Sequence, residues 1–222
     1  MHPFKITSLF DLSHTVAADY LAAFEYPWEA LSGLSAFIIS LGKTLPADQY
    51  DQPTENVWIA KSATVAPTAS IGAPCIICDG AEIRQCAYIR GSAIVGAGAV
   101  VGNSCELKNC ILFDSVQVPH FNYVGDSILG YRSHMGAGSI TSNVKSDKTN
   151  VSIRRDGDRI ETGMRKLGAM LGDFVEVGCN CVLNPGTVIG RRSSVYPLTS
   201  VRGFVPEDHI VKTTTEMVLR KN

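Results

Sequence analysis

The chain has 222 residues, of which 45% are apolar, and its 20 lysines and arginines nearly balance its 21 aspartates and glutamates. This length allows a substantial buried core, and the balanced charge argues against a nucleic-acid-binding surface, which needs a basic excess. No apolar run is long enough to cross a membrane, and the N-terminus lacks the basic, apolar and small-residue order of a signal peptide. We therefore expect a cytoplasmic protein with no nucleic-acid partner and no membrane partner.

The first fifty residues show a helical pattern. From Trp28 onward, apolar side chains recur every three or four positions, at Leu31, Leu34, Ile38, Leu41 and Leu45. This spacing predicts an amphipathic helix, and Pro27 separates it from a shorter predicted helix capped by Asp11 or Ser13. We interpret residues 1–52 as a helical segment that covers the open end of the following domain or packs between subunits. The alternative is a membrane-surface role for the Phe-Ile-Ile sequence at 37–39.

A period of six residues follows. An aliphatic side chain recurs at Ile59, Val65, Ile71, Ile77, Ile83, Ile89, Val95, Val101 and Leu107, and the period resumes from Leu171 to Val201. Neither the helical period of 3.6 nor the strand period of 2 gives this pattern, which is typical of the hexapeptide repeat of a parallel β-helix. We therefore predict an all-β fold, with the β-helix over residues 53–206 and a C-terminal tail at 207–222.

Residues 142–170 interrupt the repeat. Within them, two short strands at 151–155 and 158–162 are predicted on either side of a tight Asp156-Gly157 turn. An insertion confined to one place in a repeat protein maps to a loop on one face. Long loops on rigid scaffolds often carry binding groups, so we expect this protruding loop to contribute to a site.

The seven cysteines are expected to be structural thiols. Cys75, Cys105 and Cys181 occupy the small-residue position of their hexads. The Cys75-x-x-Cys78 pair, with Cys86 nearby, lacks a second paired motif and indicates a zinc site only weakly. No His-x4-His pair occurs in the chain, so we predict no metal site.

Two basic residues stand out. Arg90 and Lys108 each follow an aliphatic repeat position and are eighteen residues apart, which is one coil if three hexads make a triangular turn. They should then stack at the strand spacing of roughly 4.8 Å. Two cations so close require an anion, for which a phosphate is a natural candidate. The alternative is that both are solvated charges or salt-bridge partners at an interface.

A family resemblance rests on three stretches. They are Arg90 to Lys108, the run His120-Phe-Asn-Tyr123-Val-Gly-Asp126, and the run Gly136-Ala-Gly-Ser-Ile-Thr-Ser-Asn143. They resemble the acetyltransferase half of bacterial bifunctional UDP-N-acetylglucosamine pyrophosphorylase/glucosamine-1-phosphate N-acetyltransferases. Related archaeal sugar-1-phosphate enzymes share the Thr162-Gly-Met-Arg-Lys-Leu-Gly168 return and the Asn184-Pro-Gly186 turn. The resemblance covers about residues 57–212 and implies a left-handed β-helix, a homotrimer with sites between subunits, and acetyl-CoA as co-substrate.

The same resemblance implies roles for individual residues. The catalytic group consists of His120 as general base with Asn143 and Glu106, and the acceptor is held by Arg90, Lys108, Tyr123 and Lys148. The residues implied to contact acetyl-CoA are Ala137, Cys179, Pro197 and Lys212. Three of these depart from the family pattern: Cys179 stands where a serine is usual, Pro197 where an alanine is usual, and Lys212 where an arginine is usual. Val144 also replaces an aromatic residue that follows the asparagine in the bacterial enzymes.

These observations favour an acetyl-CoA-dependent N-acetyltransferase acting on an amino-sugar phosphate such as glucosamine 1-phosphate. Acyl transfer to an ammonium ion needs a base near neutral pH, and histidine titrates in that range. One alternative is an acyltransferase for a nucleotide-linked sugar or another amine. Another is a non-catalytic trimer that partners a separate nucleotidyltransferase. Only the helical segment stands before Gln52, without a glycine-rich nucleotide loop, so we do not expect nucleotidyl transfer from this chain.

Overall fold

The computed structural model describes residues 3–155, 158–213 and 216–219. The first fifty residues form helices α1 (Ile6–Leu9), α2 (Ala18–Ala22) and α3 (Leu34–Gly42), with 3-10 helices over Leu12–His14 and Pro27–Ser32. The Asp11 side chain caps the first 3-10 helix by accepting a hydrogen bond from the Ser13 N–H at 3.0 Å. None of the helices in these ranges combines the length and apolar character needed to cross a membrane.

The helix predicted after Trp28 is split in two. Gly33 ends the 3-10 helix and precedes α3. The hydroxyl of Tyr20 lies so close that a Cβ at Gly33 would be 2.8 Å from it. The break therefore lets the segment bend around a packed tyrosine.

Parallel strands form three faces of a prism. Sheet 1 contains β2 (Val57–Ala60), β5 (Cys75–Ile77), β8 (Ala93–Val95), the second halves of β10 (Glu106–Leu112) and β12 (Tyr123–Leu129), β17 (Ala169–Leu171), β20 (Thr187–Ile189) and β23 (Phe204–Val205). An antiparallel strand, β1 (Tyr50–Thr54), pairs with β2 at the edge.

Sheet 2 contains β3 (Thr64–Val65), β6 (Glu82–Ile83), β9 (Val100–Asn103), β11 (Gln117–His120), β13 (His134–Met135), β18 (Glu176–Val177), β21 (Ser194–Val195) and β24 (His209–Thr213), with β25 (Glu216–Leu219) antiparallel to β24. Sheet 3 contains β4 (Ser70–Ile71), β7 (Tyr88–Ile89), the first halves of β10 and β12, β14 (Ile140–Thr141), β19 (Val182–Leu183) and β22 (Ser200–Val201). This arrangement confirms the parallel β-helix predicted from the hexads, while its left hand stays a prediction.

The repeat continues through the stretch between Leu107 and residue 141. The inward positions there are Leu112, Val118, Val124, Leu129, Met135 and Thr141, all buried. Two of the steps are five residues instead of six, so Ala93 pairs with Cys110, which in turn pairs with Ser127. The shortening falls where β10 and β12 bend from sheet 3 into sheet 1, at Asn109 (φ 49°) and Asp126 (φ 50°). These two coils therefore have 17 residues.

The N-terminal segment covers one side of the prism. Alternate strand residues point to opposite faces, so sheet 1 carries an outward row next to its inward one. This row comprises Trp58, Ile76, Ile94, Ile111, Ile128, Met170, Val188 and Phe204. At one end the Phe4 ring meets the Phe204 ring at 4.8 Å between centroids, and at the other Gly42 lies directly against Trp58.

The segment thus lies along a side face and does not close the open end of the coils. Helix α3 also contacts β5, β8 and β10. Of the Phe-Ile-Ile sequence considered for a membrane surface, Ile38 is buried and Phe37 stacks on Tyr20 at 4.1 Å between centroids. Those side chains are used in packing.

The loop leaves the coils after Thr141 and returns at Ala169. It contains the hairpin of β15 (Ser152–Arg155) and β16 (Asp158–Glu161), whose strands match the predicted pair, whereas the predicted Asp156-Gly157 turn lies outside the described residues. Met170, included in the loop from sequence, belongs to sheet 1, where it pairs with Ile128 and Val188. The loop folds back on the coils, because Val151 and Ile153 are buried.

Candidate active site

Arg90 and Lys108 are stacked as predicted from their spacing. Each follows an inward residue, and those residues, Ile89 and Leu107, are paired between neighbouring strands. The structure supplies a carboxylate for each cation: Arg90 Nη1 lies 2.8 Å from Glu106, and Lys108 Nζ lies 3.1 Å from Asp126. The repulsion that suggested a phosphate is therefore already relieved inside the chain. A ligand phosphate would have to share these cations with two carboxylates.

Asp126 organises the site. Its side chain is only 4% exposed and accepts hydrogen bonds from Lys108 at 3.1 and 3.2 Å, from Asn109 Nδ2 at 2.8 Å and from Asn143 Nδ2 at 2.5 Å. These donors come from the preceding coil and from the start of the loop. One buried carboxylate thus fixes two of the residues implied to act at the site, Lys108 and Asn143.

Tyr123 lies against the same cluster. Its hydroxyl accepts a hydrogen bond from Asn143 Nδ2 at 3.1 Å. Its ring passes over Gly125, where any Cβ would overlap it, so the glycine makes room for the tyrosine. Burial, followed by the charge of Asp126, raises the pKa of the Tyr123 phenol, which keeps it protonated as a hydrogen-bond donor.

His120 ends β11 at the corner between sheets 2 and 3. Its imidazole is exposed and has no side-chain hydrogen bond within the described part of the chain, while its backbone is fixed by Asn122 Oδ1 at 3.1 Å and Gly138 N at 3.0 Å. Tyr123 follows three residues later, so the two Cα atoms are at most about 11 Å apart. The free imidazole nitrogens are available to a substrate.

Three residues implied for acetyl-CoA stand in one column with His120. Backbone hydrogen bonds connect the successive coils at this corner: Gly138 N to His120 O, Asn180 N to Ala137 O, and Leu198 N to Cys179 O. His120, Ala137, Cys179 and Pro197 are therefore stacked in this order, and we call them the corner column. Lys212 lies beside it, since its neighbour Val211 pairs with Val195, and its ammonium contacts Glu216 at 3.1 Å.

Lys148 is not brought to the cluster by any contact among the described residues. It sits in a turn of the loop with φ 57°, where its N–H bonds to Lys145 O at 3.0 Å and its side chain is exposed. Glu106 lies at the site through its ion pair with Arg90.

All seven cysteines are free thiols, and five of them are buried. Within residues 3–155, 158–213 and 216–219, no three histidine, cysteine or acidic side chains are arranged to hold a metal ion. Burial raises the pKa of Cys78 and of Cys110 to about 12, so these thiols stay neutral and unreactive near neutral pH.

Sequence reasoning missed the roles of Asn109 and Asp126. The signal was the change in spacing, because Leu107 to Leu112 and Val124 to Leu129 are five residues apart. Each shortened corner has one residue at positive φ, and asparagine and aspartate tolerate that conformation. Two successive coils each lack one residue at the same corner. The side chains of Asn109 and Asp126 are therefore directly above one another.

Known proteins resemble this chain in sequence. The family described as the GMPPB C-terminal domain matches residues 73–189, just over half of the chain. The bifunctional protein GlmU of Methanococcus maripaludis is 32% identical over 198 residues, covering 88% of this chain and 48% of that protein. The bifunctional sugar-1-phosphate nucleotidylyltransferase/acetyltransferase of Sulfurisphaera tokodaii is 34% identical over 111 residues, covering 50% of this chain and 28% of that protein.

The chain therefore spans about half, or less, of the length of these curated relatives. Among solved structures, a mutant of AntD, an N-acyltransferase from Bacillus cereus, in complex with dTDP and coenzyme A, aligns with a TM-score of 0.40 and 15% identity. That alignment covers 73% of this chain and 84% of AntD. The matches to GlmU proteins confirm the resemblance inferred from the three sequence stretches.

Proposed function

Because the chain belongs to the GMPPB C-terminal domain family, we propose that it is an acetyl-CoA-dependent N-acetyltransferase whose acceptor is an amino-sugar phosphate such as glucosamine 1-phosphate. The names of its relatives support this reading, since one of them is a sugar-1-phosphate nucleotidylyltransferase/acetyltransferase. The identity of the acceptor is proposed from the chemistry of the site residues.

One observation carries the proposal. His120 stands at the head of the corner column and three residues before Tyr123, whose hydroxyl joins the Asn143 and Asp126 cluster. A base in this position lies next to the residues implied to contact acetyl-CoA on one side and next to a polar cluster suited to a sugar on the other. Direct acyl transfer requires the acceptor nitrogen to reach both the thioester carbonyl and the base, and His120 is close to both groups of residues.

In the proposed reaction, a neutral His120 imidazole takes a proton from the acceptor's nitrogen. The nitrogen lone pair attacks the thioester carbonyl of acetyl-CoA, so that an N–C bond forms and the C–S bond breaks. The thiolate of coenzyme A leaves and takes up a proton. No covalent acetyl-enzyme is needed, because donor and acceptor are bound together.

The glycine-rich return offers one donor for the developing oxyanion. The N–H groups of Gly136, Gly138 and Ser139 are already used between and within coils, whereas the Ala137 N–H has no partner among the described residues. Ala137 lies one coil from His120 in the corner column. We assign its N–H to the carbonyl oxygen of the acetyl group, where hydrogen bonding stabilises charge that forms in the transition state.

A homotrimer is part of the same proposal. The corner column is convex, and the residues that follow its two ends, Phe121 after His120 and Leu198 after Pro197, are 62% and 79% exposed. Exposed apolar side chains along one edge favour a second copy of the chain as the missing wall of the groove. Because the N-terminal segment covers sheet 1, the contact between copies would be made by sheets 2 and 3.

The test is thiol release from acetyl-CoA with purified chain and a panel of amino sugars, amino-sugar phosphates and nucleotide-linked amino sugars. Selective turnover of an amino-sugar phosphate, lost in His120→Ala, is the expected result. Turnover of nucleotide-linked amino sugars alone would show that the acceptor is a nucleotide-linked sugar and not a sugar phosphate. No acetyl-CoA binding in calorimetry would favour the non-catalytic alternative.

A further inference from the structure

A cationic groove lies under the loop, apart from the residues discussed so far. Its volume is about 390 Å³, and its walls include Lys145 and Arg154 from the loop and Asn184 and Arg202 from the coils. The hairpin closes it by packing onto the coils, since Val151 touches Gly186 and the Arg154 carbonyl approaches Gly203. We call this space the loop groove.

The charges of the loop groove are not balanced. Among the residues whose side chains the structure describes, its lining contains three cations and a single carboxylate, Asp147, which pairs with Lys145 at 3.3 Å. Neither Arg154 nor Arg202 has a carboxylate partner within the described ranges, and Arg202 contacts only the Asn184 amide, at 3.5 Å. This contrasts with Arg90 and Lys108, each of which has its own carboxylate.

The hairpin places a second arginine beside Arg154. Arg154 stands directly opposite Arg159 in the β15–β16 register, and Arg159 forms an ion pair with Glu161. Like charges directly opposite one another destabilise a strand pair. Because Glu161 already balances Arg159, Arg154 is the charge of this pair that an anion in the groove would balance.

The loop groove is distinct from the corner column on the same chain. Three of its residues, Ser142, Asn184 and Arg202, follow Ala137, Cys179 and Pro197 by five residues each, across the width of sheet 3. At the strand rise per residue, five residues correspond to roughly 16 Å. A phosphate bound here would therefore lie on the opposite edge of that sheet.

We propose that the loop groove binds a phosphate or diphosphate group through Arg154 and Arg202, with Lys145 and Asn184 completing the polar lining. The two unbalanced positive charges match a diphosphate better than a carboxylate, and guanidinium groups suit phosphate oxygens geometrically. Two sources carry this chemistry: a nucleoside diphosphate, and coenzyme A held by a neighbouring copy.

Isothermal titration calorimetry with inorganic pyrophosphate tests the groove directly, using Arg154→Gln and Arg202→Gln. The matched control is Arg159→Gln, on the partner strand of the same hairpin, where the arginine already has Glu161. We expect pyrophosphate to bind the wild type, with roughly 10- to 150-fold weaker binding in each test variant, as for loss of a charged hydrogen bond. The control should bind as the wild type does, and thermal unfolding should show that all three variants fold.

Competition then identifies the source. Displacement of pyrophosphate by UDP supports a nucleotide, and displacement by coenzyme A supports the cofactor of a neighbouring copy. Failure of pyrophosphate to bind, equal loss in all three variants, or displacement by neither ligand would overturn the proposal. Since every readout is binding, the result does not depend on whether the chain acetylates an amino sugar.

Discussion

Replacing Asp126 by asparagine tests whether this buried carboxylate positions the acceptor site. Asparagine keeps the shape and one acceptor oxygen, but its amide NH₂ would face the NH₂ of either Asn109 or Asn143, which now donate to the two carboxylate oxygens. It also leaves Lys108, 26% exposed, without its negative partner. Removing one member of a buried ion pair costs about 3–5 kcal/mol of folding free energy.

Asp173→Asn is the matched control. The Asp173 side chain is 3% exposed, pairs with Arg191 at 3.3 Å and accepts from the N–H groups of Asp11 and Tyr131 at 2.7 and 2.9 Å. Burial and partners thus resemble those of Asp126, but the position ties the N-terminal segment to the coils. A comparable loss of stability is expected from both variants.

The two variants should differ in kinetics. With Lys108 and Asn143 no longer fixed, Asp126→Asn should lose one charged hydrogen bond to the acceptor, about 1.5–3 kcal/mol, or roughly 10- to 150-fold in kcat/KM. The loss should appear mainly in the acceptor KM, whereas the KM for acetyl-CoA should not change. Asp173→Asn should keep wild-type kinetics below its unfolding temperature.

The assay is thiol release at two fixed acetyl-CoA concentrations, with thermal unfolding measured on the same samples. A double-mutant cycle with Asn143→Ala measures the coupling, which should exceed about 0.5 kcal/mol for residues in contact. Equal kinetic losses in Asp126→Asn and Asp173→Asn, or additive effects in the cycle, would show that Asp126 is only structural.

Particular contacts lead to four further predictions. His120→Ala should lower kcat by roughly 10²–10⁴ without shifting the unfolding temperature, because the side chain is exposed, and near-full turnover would exclude it as the base. Arg90→Ala and Lys108→Ala should both raise the KM for a phosphorylated acceptor by roughly 10- to 150-fold and spare its unphosphorylated analogue; only Lys108→Ala should also cost about 3–5 kcal/mol, since it strands buried Asp126, and equal effects on both acceptors would count against phosphate binding. Ile94→Ala should cost about 2–5 kcal/mol in urea unfolding because its side chain is fully buried, and a cost under about 1 kcal/mol would mean that the N-terminal segment does not cover it. At pH 8 a thiol reagent should modify two of the seven cysteines in the folded chain, exposed Cys86 and Cys179, and all seven in denaturant; rapid reaction of Cys78 or Cys110, whose pKa burial raises to about 12, would contradict their placement.

The hexads predicted the coils because an inward residue every sixth position is a direct requirement of the prism. Stacking of Arg90 over Lys108 followed from the same arithmetic. The shortened coils were not predicted. A step of five from Leu107 to Leu112 looks like a loss of the period unless one knows that a single residue at positive φ, Asn109, makes the corner. Recognising the apolar pairs Ile76-Ile77, Ile94-Val95 and Ile111-Leu112 as a second, outward row would have shown that sheet 1 is covered.

For the candidate site, sequence spacing identified side chains but not their partners. The carboxylates that neutralise Arg90 and Lys108 are sixteen and eighteen residues away, and only the fold brings them within 2.8 and 3.1 Å. The loop groove was equally beyond sequence reasoning, because it depends on how the hairpin folds back onto Gly186 and Gly203.

The side cover on sheet 1 changes how the molecule should come apart. A stack of coils alone behaves as a one-dimensional array, in which each unit stabilises only its neighbours and the ends fray independently. Here the N-terminal segment contacts both ends of the stack. Phe4 contacts Phe204 in the last coil, and Gly42 contacts Trp58 in the first. Coils far apart in the stack thus share one strip of apolar contact, and neither end can open without exposing part of it. The β-helix and its cover should therefore melt in one cooperative step, and a chain cut after Gly42 should lose that cooperativity.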